Sequence, residues 1–192
     1  MTTVAAPAPT PAAGRPSYYG GVAVALHWLT VVLVLTQLGL ALLWGYFPRP
    51  ERHMMVAAHM SLGITLGAVV LFRLIWRLMP AHWIAPASRG LDELAARAVH
   101  YLLYALVITQ ASLGFLLRWS GGEAMSFFGL QLPSPMETWS KAANHQVGEI
   151  HEKVGWAIII LAAGHAGAAL YHHFVRKDQV LARMIPVLRN RG

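Results

Sequence analysis

Four of the ten histidines in this 192-residue chain lie inside long apolar stretches: His27, His59, His151 and His165. An ionisable side chain at membrane depth is costly and by default marks a functional site. His27 falls about six residues into the first apolar run, and His59 about five into the second. His151 opens the last run and His165 lies deeper in it, fourteen positions on. That spacing is close to four helical turns, so both point from one face, with ~21 Å between their levels. Matching depths pairs His27 with His165 in one layer and His59 with His151 in the other.

Two neutral imidazoles on opposite faces of a flat ring are the ligand set of a low-spin haem, supplied from different helices of a bundle. Two such layers suit two non-covalent haems b, one above the other. Small residues let backbones part around a ring: Ala162, Ala163, Gly164, Ala166 and Gly167 surround His165, and Gly63 and Gly67 follow His59 at intervals of four. The same small residues are also the ordinary packing device of membrane helices. A lone membrane histidine often only bonds a neighbouring helix, but four in two matched layers weigh against that reading. Zinc prefers clustered tetrahedral ligands such as histidines at i and i+4, and neither layer has such a cluster. With no cysteine in the chain, disulfides, iron–sulfur clusters and covalently attached haem are excluded.

Two further histidines compete for the places of His27 and His165, the pair on the side that the basic residues mark as inner. His172 follows His165 by seven residues on nearly the same face, and His100 opens the third apolar run. His53, His82 and His145 fall in expected connections. Haem propionates commonly meet Arg or Lys. Arg73 and Arg77 could serve the inner haem, and Arg52 and Lys153 the outer one; each could equally snorkel to the interface. Trp44, Tyr46, Trp76, Trp83 and Trp119 read as an aromatic belt.

The elements that must carry these residues follow from composition. The chain is 56% hydrophobic and 12% charged, against roughly a quarter charged in soluble domains. Four apolar runs, 21–47, 54–79, 95–117 and 148–174, each exceed the ~20 residues that cross a bilayer as helix. The ten-residue alternation of membrane β-strands is missing. The expected fold is an all-α membrane protein, a four-transmembrane-helix bundle. Pro48, Pro50 and Pro80 mark boundaries. The connection 118–147 is expected to lie as an interfacial segment, and no signal peptide, soluble domain or internal repeat is evident.

Arg15, Arg73, Arg77, Arg89, Arg97, Arg176, Lys177, Arg183, Arg189 and Arg191 fall on one side of such a bundle. Arg49, Arg52, Arg118, Lys141 and Lys153 fall on the other. By the positive-inside rule both termini are cytoplasmic. The formal charge of +7 is then chiefly topology, with lipid head groups as its partners. No basic folded domain remains to bind nucleic acid.

Three segments carry a likeness: "ALHW" in the first run, "AAHMSLGITLGAVVLFRLIWRL" in the second, and "IHEKVGWAIIILAAGHAGAALYHHFVRKDQVLARMIP" at the end. Together they resemble the bacterial cytochrome b561 family over nearly the whole chain after the first 16 residues. The resemblance implies a four-helix, di-haem b protein of the bacterial inner membrane that exchanges electrons with quinone. It places axial ligands on helices one, two and four, at His27, His59, His151 and His165. The Ala- and Pro-rich start, the four apolar runs and the basic end divide the chain into an expected 1–20 disordered cytoplasmic tail, a 21–175 transmembrane cytochrome b domain and a 176–192 basic cytoplasmic tail.

The likeness is greatest to short stand-alone members, one kind of which is a superoxide:ubiquinone oxidoreductase. The basic residues at the outer face could steer superoxide to that side. Related cytochrome b subunits of nickel–iron hydrogenases and formate dehydrogenases instead relay electrons from a redox partner protein. A haem-free transporter or structural membrane protein is the third reading.

Overall fold

The computed structural model describes residues 18–85 and 90–188. The expectation of a disordered tail over 1–17 and the placement of Arg15, Arg89, Arg189 and Arg191 therefore lie outside the described residues. Four helices dominate: α1 (Gly21–Leu43), α2 (Arg49–Leu78), α3 (Leu91–Ser120) and α4 (Lys141–Tyr171). Each is long and apolar enough to cross a membrane, and consecutive helices pack against one another. The start of α1 and the segment after α4 meet at one end of the bundle, where Trp28 Nε1 donates to the Met184 carbonyl at 2.9 Å. We refer to this as the tail end.

α2, α3 and α4 begin before the apolar runs that announce them, whereas α1 ends at Leu43, short of its run. Hydropathy marks the apolar stretch, and those three helices start ahead of it on polar residues. Pro50 sits in the first turn of α2 instead of closing α1, where its missing N–H is no loss. α3 starts earlier than its apolar run, with Asp92 and Glu93 in its first turn, favourable at the positive end of a helix dipole. α4 starts earlier still, capped by Ser140 Oγ accepting from the Ala143 N–H at 3.2 Å. His53 and His145, expected in connections, are therefore helical, and His145 lies 3.5 Å from Glu149 one turn on.

Buried Leu33 of α1, Leu66 and Val70 of α2, Val107 of α3 and Ile158 of α4 form one apolar cluster. Ile158 stands midway between His151 and His165 in the sequence, so the cluster is an apolar septum between the two histidine levels. Only 6% of the apolar windows of α1, α3 and α4 and 22% of that of α2 are buried. The outward apolar surface that remains has the character of a lipid-facing one.

The connection after α3 folds into a small hairpin, β1 (Met125–Phe127) and β2 (Leu130–Leu132), with Phe127 opposite Leu130. Its two turn residues, Phe128 and Gly129, have φ of 46° and 90°, the left-handed pair a tight type I′ turn requires. Holding Phe128 there costs about 1 kcal/mol. Ser61 of α2 offsets it: its Oγ accepts the Phe128 N–H at 2.9 Å, and its one hydroxyl proton has the Ala57 carbonyl at 2.8 Å and the Ser126 carbonyl at 3.3 Å within reach. Met125 and Ser126 are buried, so this segment is inserted against α2 and not merely laid on the interface. Ser61→Ala leaves the Phe128 N–H without its partner. The hairpin is expected to lose about 1–3 kcal/mol of local stability, measured as at least a fivefold faster amide exchange of residues 125–132 by mass spectrometry.

Candidate functional site

At the level of the hairpin, α2 and α4 present His59 and His151 to each other. Their ring centroids lie 6.3 Å apart at an interplanar angle of 67°. A metal–imidazole bond is about 2 Å long. Two such bonds back to back, with half of each ring added, place the centroids about 6 Å apart. The outer pair thus stands at the spacing a bis-histidine iron needs. Both Nδ1 atoms are buried and lack hydrogen-bond partners among the described residues. Gly114 of α3 faces this space: a Cβ there would stand 3.5 Å from His151 Cε1. The residues therefore fit a haem held by His59 and His151. Trp44 lies edge-on to His59 at 5.2 Å, so it walls the site.

The inner level gathers more imidazoles than two axial positions require. His100 of α3 meets His165 of α4 with centroids 5.0 Å apart at 68°. His27 of α1 is within electrostatic range of both. Its Nδ1 lies 3.3 Å from Arg73 Nη2, while Arg73 Nη1 donates to Thr30 Oγ1 at 2.8 Å. Arg73 also lies over the Tyr104 ring, and Arg77 over the Tyr101 ring, each 5.7 Å from the centroid. The early start of α3 at Leu91 places His100 more than two turns into the helix. The His100–His165 spacing is about 1 Å short of what an iron held between them would need, so such an iron would require these two rings to part.

The remaining candidates have other company. Arg52 Nη2 donates to the Gly45 and Phe47 carbonyls at 3.3 Å each, closing the turn after α1. Lys153 Nζ bonds Glu149 at 3.3 Å, and Arg118 pairs with Glu123. His82, expected to be solvated, stacks on Trp76 at 3.8 Å and 19°. Beside it a cleft of about 330 Å³ opens at the tail end, with Tyr18, Tyr19, Arg73, Trp76 and Arg77 among its walls.

His172 turns away from the inner level. It begins the wide turn His172–Arg176 that follows α4, and its Nδ1 lies 2.5 Å from Asp178 Oδ2. Arg176 reaches Asp92 at 2.6 Å, and Arg183 donates to the Ala85 carbonyl at 2.7 Å. These contacts strap the segment after α4 across the tail end. Burial alone would raise the Asp178 carboxyl. The hydrogen bonds from His172 and the Val180 N–H, with the charges of His172 and Arg176, outweigh it and hold Asp178 below the usual carboxylate range. A lowered carboxyl stabilises the strap at neutral pH, and this is lost as pH falls through the folded-state value. Asp178→Ala is expected to speed trypsin cleavage after Lys177 about fivefold at neutral pH, with the difference from the parent shrinking in acid.

Sequence reading passed over the polar residues that pack on the ligand helices: Thr30, Gln37, Ser61 and Gln110. Their signal was present, since a polar side chain within an apolar run needs a partner.

Residues 18–187 match the model of a family described as prokaryotic cytochrome b561. Cytochrome b561 homolog 2 of Escherichia coli (strain K12) is 31% identical over 174 residues, covering 88% of this chain and 92% of the relative. Cytochrome b561 homolog 1 of the same organism is 33% identical over 166 residues, 84% and 93% of the two chains. A protein of Yersinia pestis named probable superoxide oxidase CybB is 28% identical over 176 residues, 89% and 97%.

Proposed function

Because this chain belongs to the prokaryotic cytochrome b561 family, a family of membrane electron-transfer proteins, we propose that it binds two haems b and passes electrons from superoxide to ubiquinone. The observation that carries the reading is the opposed pair His59 and His151 at 6.3 Å. His27 and His165 are assigned to the inner haem, on matched depth and on the family pattern. Bound haem supplies reversible one-electron chemistry at iron.

The chain's own residues do the rest. His59 and His151 fix the outer ring between α2 and α4. The apolar septum of Leu33, Leu66, Val70, Val107 and Ile158 keeps water from the gap between levels. With His151 and His165 ~21 Å apart along one helix, the ring edges come closer than that. Arg73 and Arg77 supply positive charge for propionates. The tail-end cleft offers a quinone head an aromatic wall at Trp76 and donors from the arginines.

The superoxide step is suggested by the name of the Yersinia relative and by the cations at the hairpin end. Arg118 and Lys153 are paired with carboxylates there, so steering rests on Arg49, Arg52 and Lys141. Each superoxide gives up one electron and leaves as dioxygen; two electrons and two protons convert the quinone to quinol. The tail end faces the cytoplasm of the inner membrane in this reading, in line with the positive-inside rule.

The test is haem stoichiometry and a reduced-minus-oxidised spectrum of the purified protein, followed by superoxide-driven reduction of a ubiquinone analogue. Two haems b per chain and a rate that falls with ionic strength are expected. Absence of b-type bands overturns the reading. Two haems without superoxide-driven reduction, together with a co-purifying dehydrogenase, would make the chain a relay subunit instead.

A further inference from the structure

The outer histidines stand at a level that water reaches. On α4, exposed Glu149, Glu152 and Lys153 flank His151 within two residues, and charged side chains of this kind require solvent. The Nδ1 atoms of His59 and His151 are nevertheless buried. Side chains from outside α2 and α4 must therefore help to cover them.

Met125 is the cover that the hairpin supplies. It stands on the connection between α3 and α4, yet it is only 4% exposed. A Cβ on Gly114 of α3 would lie 3.5 Å from His151 Cε1 and 3.9 Å from Met125 Cε. The end of the thioether and the edge of the His151 ring thus border one small space, which is open because residue 114 has no side chain. A flexible, unbranched thioether suits an irregular gap of this kind.

The hairpin is fastened on both sides of that space. At its turn the Phe128 N–H donates to Ser61 Oγ at 2.9 Å, and Ser61 follows His59 by two residues on α2. At its base Trp119 Nε1 of α3 donates to the Leu132 carbonyl at 3.3 Å. The Trp139 N–H closes the connection onto the Ser120 carbonyl at 2.9 Å. Met125 is thereby held between a helix that carries an outer histidine and the glycine of α3 that faces the other.

We infer that the hairpin is the cap of the outer haem site and that Met125 is the residue that keeps water from it. The inference rests on the proposed outer haem held by His59 and His151. With two neutral imidazoles, ferric haem carries one more positive charge than ferrous haem. A dry surround disfavours that extra charge and raises the potential. Met125 therefore acts by excluding solvent and not as a ligand. The raised potential makes the outer haem a better acceptor for the electron that superoxide gives up.

Met125→Ala removes the cover, whereas Met125→Leu keeps its volume and apolar character. Redox titration of the purified two-haem protein, read in the b-band absorbance, is the measurement, with the outer haem identified as the one that His59→Ala removes. Met125→Ala is expected to lower the outer potential and leave the inner one unmoved. Met125→Leu is expected to leave both at the parent values. An unchanged outer potential in Met125→Ala, or an equal fall in Met125→Leu, overturns the inference. If Met125→Ala does not hold the outer haem, Met125→Val is read in its place. A lowered outer potential there, or loss of the outer haem with its retention in Met125→Leu, supports the inference. An unchanged potential there, or loss of the outer haem from Met125→Leu as well, overturns it. A parent protein with no His59-dependent haem overturns the proposed function itself, and the inference with it.

Discussion

His59→Ala and His151→Ala are each expected to reduce the haem content from two per chain to one, leaving the inner haem spectrally intact. An iron that loses one of two axial imidazoles in a bundle loses its anchorage to one helix as well as a bond. The iron would then be left with one of its two protein ligands. Superoxide-driven quinone reduction should fall at least 100-fold, because each supporting interaction around a metal ligand is itself worth 10–100-fold and here the ligand is removed outright. Pyridine haemochrome assay with the reduced-minus-oxidised spectrum checks the content. Retention of two haems in either variant would remove His59 and His151 as the outer ligands.

His165→Ala is expected to delete the inner haem alone, and the choice of its partner is then decided by two more variants. If His27 is the second ligand, His27→Ala deletes the inner haem and His100→Ala keeps it. The structure makes this comparison informative. His100 lies nearest to His165, at 5.0 Å between centroids, whereas His27 is held through Nδ1 by Arg73 at 3.3 Å. Iron on His27 requires that arginine to release Nδ1, after which its charge is available to a propionate. Inner haem lost in His100→Ala and retained in His27→Ala would assign the pair to α3 and α4. The same variants in His172 should leave both haems in place, since His172 is engaged with Asp178 outside the inner level.

Much of the membrane fold was legible because its signals are local. A run of apolar residues longer than the bilayer is thick forces a helix, since the backbone has no other way to satisfy its polar groups in lipid. Hence all four spans could be located, and the depth of each histidine with them. Element ends were less legible: helices continue beyond the hydropathy window wherever a cap or a favourable dipole charge supports them, as at Ser140, Asp92 and Glu93. The hairpin at 125–132 was hidden because its turn places Phe128 at a positive φ that no local preference favours; Ser61, more than sixty residues away, stabilises it.

The histidine count, the absence of cysteine and the spacing from His151 to His165 were thus enough to suggest a stacked pair of non-covalent haems in a four-helix bundle. Periodicity along one helix determines which residues share a face and a depth. It does not determine how the helix is rotated toward its neighbours. Only the packing of α1 to α4 decided that His59 and His151 face each other at a ligand-like distance, that His100 joins His165, and that Gln37 and Gln110 enter the gaps left by Gly63 and Gly155. Those contacts lie between helices, where close packing of side chains from separate segments sets the rotation.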